Sequence, residues 1–176
     1  MDMCICVKIA ETAIILIFSV FSDIKYSKIL NKITLPGILT GLLTNFLFEG
    51  TKGAADSISG AALPVLLLFA LFALRLLGAG DVKLFAAVGS VMGAGLVLRC
   101  MAYSMLSGGV IAVLFIAARK NAVERFKYLF TYLRLCFLTL KVCPYQDFEK
   151  KGSGLFRFSY AAASGTLIAL LADYVR

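Results

Sequence analysis

Residues 76–89 read LLGAGDVKLFAAVG and place a carboxylate, that of Asp81, between two strongly apolar runs. Gly78 and Gly80 precede the aspartate, although glycine weakens a helix by about 1 kcal/mol relative to alanine. A carboxylate is also costly at the edge of a hydrocarbon phase, and such residues are functional candidates. We therefore expect chemistry at the point where this stretch interrupts the apolar sequence.

The composition around this stretch is typical of an integral membrane protein. Of the 176 residues, 61% are hydrophobic and 16% are charged, and the mean hydropathy is +0.92. A soluble domain of this length carries more charge and shorter apolar runs. The sequence predicts an all-α fold, a polytopic membrane helix bundle in which residues 1–176 form a single domain.

Six apolar segments approach the length of about 20 residues that a helix needs to cross a bilayer. They are residues 3–22, 33–48, 54–77, 84–98, 100–118 and 155–174. The second and fourth are short, so we expect them to extend into neighbouring polar residues or to be irregular. The sequence thus predicts about six transmembrane helices.

A long polar stretch, residues 119–154, separates the last two of these segments. Within it, residues 126–142 carry Lys127, Arg134 and Lys141 at intervals of seven, which places the three cations on one helical face. This pattern predicts a basic amphipathic helix on the cytoplasmic membrane surface. A seventh membrane span, which would reverse the C-terminus, is the alternative.

The distribution of Lys and Arg predicts the orientation. The basic residues collect in alternate loops: 23–32, the segment after the third span, and 119–154. Because positive loops remain in the cytoplasm, the N-terminus is predicted outside, and both Asp23 and Asp81 fall at cytoplasmic helix ends. The net charge of +8 is explained in the same way, so the expected partner is a lipid bilayer and not a nucleic acid. We expect the protein in the cell (cytoplasmic) membrane.

Several classes of chemistry are excluded by residue type. The chain has no histidine, which removes Ser-His and Cys-His nucleophile systems and imidazole acid–base catalysis. Its five cysteines include no C-x-x-C pair, so neither a zinc site nor a disulfide framework is indicated. We expect no metal and no cofactor.

Two carboxylates can still hydrolyse a peptide. Asp23 lies in VFSDIKYSKILNKIT, residues 20–34, at the same predicted membrane face as Asp81. Neighbouring carboxylates cannot both ionise cheaply and therefore share a proton, so one can accept a proton from water while the other donates. We expect Gly78 and Gly80 to permit unusual backbone dihedrals and close approach of a substrate strand. Taken singly, either aspartate could instead be a helix cap or a solvated loop residue.

The residues around both aspartates resemble a known family. Residues 78–84, GAGDVKL, are similar to the Gly-x-Gly-Asp-x-Lys signature of type IV prepilin peptidases, which are membrane aspartic proteases. Asp23, with the Ile-Lys that follows it and Asn31 further on, resembles the family's first catalytic motif. The resemblance implies a catalytic pair, Asp23 and Asp81, and four supporting residues, Gly78, Gly80, Asn31 and Lys83.

The same resemblance implies the substrate and the subtype. The family cleaves a short basic leader from pilin-like or flagellin-like precursors, at the cytoplasmic face and just before an apolar segment. The chain has no inserted domain with paired C-x-x-C motifs, so it resembles the short form of Tad-type (Flp) pilus systems or archaeal preflagellin peptidases.

Two other functions use similar features. A small transporter or channel subunit could use Asp23 and Asp81 as cation or proton sites, although the chain shows no internal repeat of the kind that transporters carry. An intramembrane protease of the presenilin or signal-peptide-peptidase kind also uses Gly-x-Gly-Asp. Its first aspartate usually follows a tyrosine inside a helix, whereas Asp23 follows Ser22 at a basic helix end.

Overall fold

A computed structural model describes residues 3–73, 77–118 and 158–174 of the chain. Within these ranges the secondary structure is helical, with no strand, which confirms the predicted all-α class for this part. The helices are α1 Met3–Tyr26, α2 Asn31–Ala73, α3 Ala79–Met92, α4 Ala94–Ala118 and α5 Phe158–Tyr174. The predicted amphipathic segment 126–142 lies outside the described residues.

Three helical stretches in the described ranges are long and apolar enough to cross a membrane: Met3–Tyr26, Asn31–Phe69 and Ala94–Leu114. Phe158–Asp173 is a shorter apolar helix. These lengths support a membrane protein. The count of six spans and the orientation stay predictions.

Gly50 divides α2 into two parts, residues 31–49 and 51–73. Its φ of 64° and ψ of −142° lie outside the helical region, and glycine adopts a positive φ without the steric penalty of a Cβ atom. The first part of α2 packs antiparallel to α1, because Lys8 contacts Glu49 near one end and Ile15 approaches Gly37 further along.

Both parts of α2 pack on α3, in opposite directions. Along the first part, Gly41 faces Val91 and Ser90 donates to the Ile38 carbonyl. Along the second part, a Cβ atom at Gly60 would clash with the carbonyl oxygen of Gly89. The chain therefore reverses at Gly50, and α3 lies between the two parts at backbone contact. All residues from Leu84 to Val91 are buried.

Buried polar groups hold these helices together. The Asn45 side-chain amide donates to three backbone carbonyls, those of Gly41 at 2.9 Å, Ser90 at 2.8 Å and Val91 at 3.0 Å. The hydroxyls of Ser57 and Ser90 lie 2.9 Å apart. Small residues and interhelical hydrogen bonds are the usual basis of helix association in lipid. The bonds of Asn45 and Ser57 to α3 therefore fix the position of that helix against α2.

The chain divides into two compact units, one of Met1–Gly108 with Arg157–Arg176 and one of Gly109–Phe156. Residues 109–118 are the described part of the second unit. In the first unit α4 and α5 run antiparallel, since Arg99 pairs with Asp173 while Ser107 donates to the Ala161 carbonyl.

The predicted fourth span, 84–98, is wrong in its limits. Helix α3 begins at Ala79 and ends at Met92, and α4 begins at Ala94. The break is at Gly93, which has a φ of 82°, and the Asp56 carboxylate accepts the Ala94 N–H at 3.3 Å. Hydropathy stays high across this point, so the sequence pattern did not reveal the break.

Candidate active site

Asp23 lies in the last turn of α1, which extends past the predicted end at residue 22 to Tyr26. The Ser27 N–H donates to the Asp23 carbonyl oxygen at 2.9 Å. The buried Ser22 hydroxyl donates to the Lys28 carbonyl at 2.8 Å. These bonds fold the linker, residues 27–30, back against the end of α1 and hold the Asp23 backbone in place.

Asp81 lies in the first turn of α3. Gly78 is the N-cap residue, and its N–H is close enough to the Asp81 carboxylate to oppose the rise in its pKa. The helix dipole also favours a carboxylate in the first turn. The alternative that Asp81 caps the following helix is therefore compatible with the structure: Asp81 helps α3 to begin.

The expectation of unusual dihedrals at the two motif glycines is wrong. Gly78 has a φ of −74° and a ψ of 144°, an ordinary extended conformation, and Gly80 is helical. Their small size matters instead. A Cβ atom at Gly80 would lie 3.1 Å from the Ile29 Cβ atom, and one at Gly78 would lie 3.2 Å from an Asp81 carboxylate oxygen. Because Ile29 is in the linker after α1, this close approach brings the two aspartate motifs together.

The two carboxylates interact electrostatically. Burial and, to a smaller extent, the nearby charge of Asp23 together raise the pKa of Asp81 to about 6, against the opposing effect of the Gly78 N–H. Asp81 lies outside the three helical stretches that are long and apolar enough to cross a membrane. The ion pairs within the described residues are Lys8–Glu49 and Arg99–Asp173, so neither Asp23 nor Asp81 has a Lys or Arg partner among them. A carboxylate neighbour without a cation is the arrangement that favours a shared proton.

Ser159, at the start of α5, contacts this pair and was missed from the sequence. Its hydroxyl donates to the Asp23 carboxylate at 2.5 Å, and its side chain is 1% exposed. Two signals could have indicated it: the serine begins the last apolar helix, and the predicted orientation places that beginning at the same face as both aspartates. We call this region, with Asp23, Asp81 and Ser159, the aspartate end of the bundle.

The two predicted polar supporting residues also meet. The Lys83 ammonium donates to the Asn31 side-chain oxygen at 3.0 Å, and both residues are exposed. This bond connects the first turn of α3 with the first residue of α2. All six site residues predicted from the sequence are therefore at the aspartate end, while their chemical roles stay predictions.

Glu11 is separate from this site. It accepts a hydrogen bond from the Thr44 hydroxyl at 2.7 Å, and Lys8, three residues earlier on α1, pairs with Glu49. A cavity of about 410 Å³ between α1 and the first part of α2 has Glu11 and Lys32 among its lining residues. The described residues contain no group of three or more His, Cys, Asp or Glu that could hold a metal ion.

Comparison with known proteins identifies the family. The sequence matches the type IV leader peptidase family over residues 11–113, a range that contains both Asp23 and Asp81. No curated protein and no solved structure gives a significant match. Since the matched range is more than half of the chain, the protein belongs to the type IV leader peptidase family, a family of proteases that act on precursor proteins.

Proposed function

We propose that the protein is an aspartic endopeptidase that removes the basic leader of a type IV prepilin-like or preflagellin-like precursor. The observation that carries this proposal is the close approach of Gly80 to Ile29, which brings the Asp81 and Asp23 motifs to one end of the bundle, where the charge of Asp23 contributes to the raised pKa of Asp81. Family membership supports a leader peptidase, and the pair supplies an acid and a base for it. The site faces the cytoplasm in this proposal, at the membrane surface.

The reaction uses one water molecule and one shared proton. One aspartate accepts a proton from water as the oxygen attacks the scissile carbonyl carbon, and the other donates its proton to the carbonyl oxygen. The tetrahedral diol then collapses: the C–N bond breaks and the leaving amine takes the proton from the acid formed in the first step. The other aspartate takes a proton back from a diol hydroxyl, which leaves a carboxylic acid product and restores the pair. The raised pKa of Asp81 suits it to hold a proton near neutral pH.

The position of the site suits a substrate with a basic leader followed by an apolar helix. The apolar helix stays in lipid, so the peptide bond that precedes it is held near the membrane surface. Asp23 and Asp81 lie at the C-terminal end of α1 and the N-terminal end of α3. Fixing the bond at this depth reduces the entropy lost when it meets the pair.

Co-expression with a candidate precursor tests the proposal. We expect the wild type to shorten the precursor and Asp23→Asn and Asp81→Asn to leave it at full length. Each variant must be recovered from the membrane fraction, so that loss of cleavage is separated from loss of insertion. Glu49→Gln is the matched control, because Glu49 is a carboxylate at the other end of the first part of α2.

Normal processing by both aspartate variants would contradict the proposal. Ion or proton flux into liposomes that depends on Asp81, without cleavage of any precursor, would favour the transporter alternative instead. The substrate itself is identified by the precursor whose leader is lost, and the cut site by sequencing its new N-terminus.

A further inference from the structure

The Ser159 hydroxyl, at the start of α5, donates to a carboxylate of another helix, as the Thr44 hydroxyl does to Glu11. Ser104, Ser107 and Thr166 all donate to backbone carbonyls. Ser159 instead donates to a carboxylate oxygen of Asp23, on a helix 136 positions away in sequence, at 2.5 Å. That distance is typical of a hydroxyl bonded to an ionised carboxylate, a bond about twice as strong as one between neutral groups.

The two aspartates therefore have different surroundings. Asp23 accepts a hydrogen bond from a buried hydroxyl of another helix. Asp81 is mainly influenced by burial, which the Gly78 N–H at the N-cap of its own helix opposes more weakly. A bond donated to the charged form favours that form, whereas burial favours the neutral form. These different surroundings assign the role of base to Asp23 and the role of acid to Asp81.

We propose that Ser159 is a positioning residue that keeps Asp23 as the carboxylate accepting the proton of water, which leaves the shared proton on Asp81. This inference rests on the proposed peptidase function and adds the direction of proton transfer. Ser159 contacts Asp23 and none of the reacting atoms, so its effect is exerted through the orientation and charge of Asp23.

The titratable side chains around Asp23 at this end include one other carboxyl group, that of Asp81. The full set is Lys25 and Tyr26 on α1, Lys28 in the linker, Lys32 on α2, Asp81 and Lys83 on α3, and Tyr160 on α5. The lysines and tyrosines of this set are exposed. A change at Ser159 is therefore expected to act on the Asp23–Asp81 pair.

The test measures kcat/KM against pH for the purified full-length protein in lipid nanodiscs, with a precursor that the wild type cleaves. Ser159→Ala should lower kcat/KM by about 10-fold to 100-fold at the wild-type optimum, within the range for loss of a bond to a charged group. Its acid limb should also move to higher pH, because protonation of Asp23 becomes easier. Ser159→Thr should restore both properties, since threonine keeps the hydroxyl.

Ser164→Ala is the matched control, because the Ser164 hydroxyl is on the same helix and donates to the Ala161 carbonyl. It should leave the rate and the pH profile unchanged. A Ser159→Ala variant that is slower but has the wild-type pH profile would overturn the assignment and leave a packing role. An unchanged rate would overturn it as well.

A second readout does not depend on cleavage. The infrared band of protonated carboxyl groups can be titrated in wild type, Ser159→Ala and Ser159→Thr. We expect the band to persist to higher pH in Ser159→Ala than in the other two. Identical titrations in wild type and Ser159→Ala would overturn the inference, whereas failure of the wild type to cut any precursor would contradict the proposed function alone.

Discussion

The two ends of the helix bundle hold their carboxylates in opposite ways. At the end away from Asp23, which we call the opposite end, Glu49 pairs with Lys8 at 2.6 Å and Asp173 pairs with Arg99. At the aspartate end, the described Lys and Arg residues form no ion pair with Asp23 or Asp81. Paired charges contribute to structure, whereas two neighbouring acids without a cation are costly. This contrast supports the proposal that the aspartate end is the catalytic site.

The third carboxylate of the opposite end has a structural role too. Asp56 accepts the Ala94 N–H at the start of α4, so it assists a helix N-terminus. Asp81 lies in the first turn of α3, where a carboxylate is also favourable. The neighbouring charge of Asp23 contributes to the raised pKa of Asp81, so its position at a helix N-terminus does not by itself explain its surroundings.

The largest difference in cleavage rate between variants at the two ends should come from moving a carboxyl group without removing it. Asp81→Glu keeps the charge but displaces the carboxyl by about one methylene, so cleavage should fall by about 100-fold or more. Glu49→Asp, the reciprocal change at the opposite end, should leave cleavage within about 3-fold. The measurement is the initial rate with purified protein. Equal rates for the two variants would remove the distinction between the ends.

Two glycines at matching helix positions should respond differently to a larger side chain. Gly80 is the second residue of α3 and would place a Cβ atom 3.1 Å from Ile29, whereas Gly95 is the second residue of α4 and has nothing within 4 Å. Gly80→Val should therefore lower stability by about 1–3 kcal/mol and reduce cleavage. Gly95→Val should change neither. Thermal midpoints in detergent and cleavage rates test this, and equal losses would contradict the close approach at Ile29.

Neutralising one acid at each end should shift stability in opposite directions. The pKa of Asp81 is raised from 3.8 to about 6, so the folded protein binds the extra proton and is destabilised as pH rises through this interval. Asp81→Asn should gain about 1–2 kcal/mol at pH 7.5, after allowance for partial exposure, and lose this advantage near pH 4.

Asp173→Asn is the comparison for that prediction. It removes the partner of the exposed Arg99, so it should lower stability by at most about 1 kcal/mol. Thermal midpoints of both variants, measured at pH 4 and at pH 7.5, give the signs. A lower midpoint for Asp81→Asn than for the wild type at pH 7.5 would argue against the burial of its charge.

The smallest effects on stability and cleavage rate should come from substitutions that weaken exposed polar contacts. Lys83→Gln weakens the bond to Asn31 at the aspartate end, and Lys8→Gln breaks the ion pair with Glu49 at the opposite end. Each should change stability by less than about 1 kcal/mol. If Lys83 supports the site, its variant alone should also lose a few-fold in cleavage rate. Identical rates would restrict Lys83 to a structural contact.

Much of the fold could be predicted from the sequence because hydropathy and charge act over long segments. The helical class follows from the apolar runs, and the proximity of Asp23 and Asp81 followed from placing both at one face. The break at Gly93 could not be predicted in this way. It depends on a positive φ and on Asp56 from a distant part of α2, and hydropathy contains neither.

The residues proposed for the site from the sequence lie at one end of the bundle, but the local backbone geometry differs from the one expected. The motif glycines suggested strained backbone, yet Gly78 is extended in an ordinary conformation and the close contact is between Gly80 and Ile29. Ser159 was missed because one serine in an apolar helix has no distinctive pattern. Its role depends on the distance to Asp23, which the sequence does not contain.

The most direct test of the central claim is a comparison of four neutral variants in one cleavage assay with purified protein in nanodiscs. Asp23→Asn and Asp81→Asn should each lose about 100-fold to 10,000-fold in rate, the range for removal of a general acid or base. Glu49→Gln and Asp173→Asn should retain cleavage within about 3-fold. Substantial cleavage by either aspartate variant, or equal losses at the two ends, would contradict a two-aspartate active site.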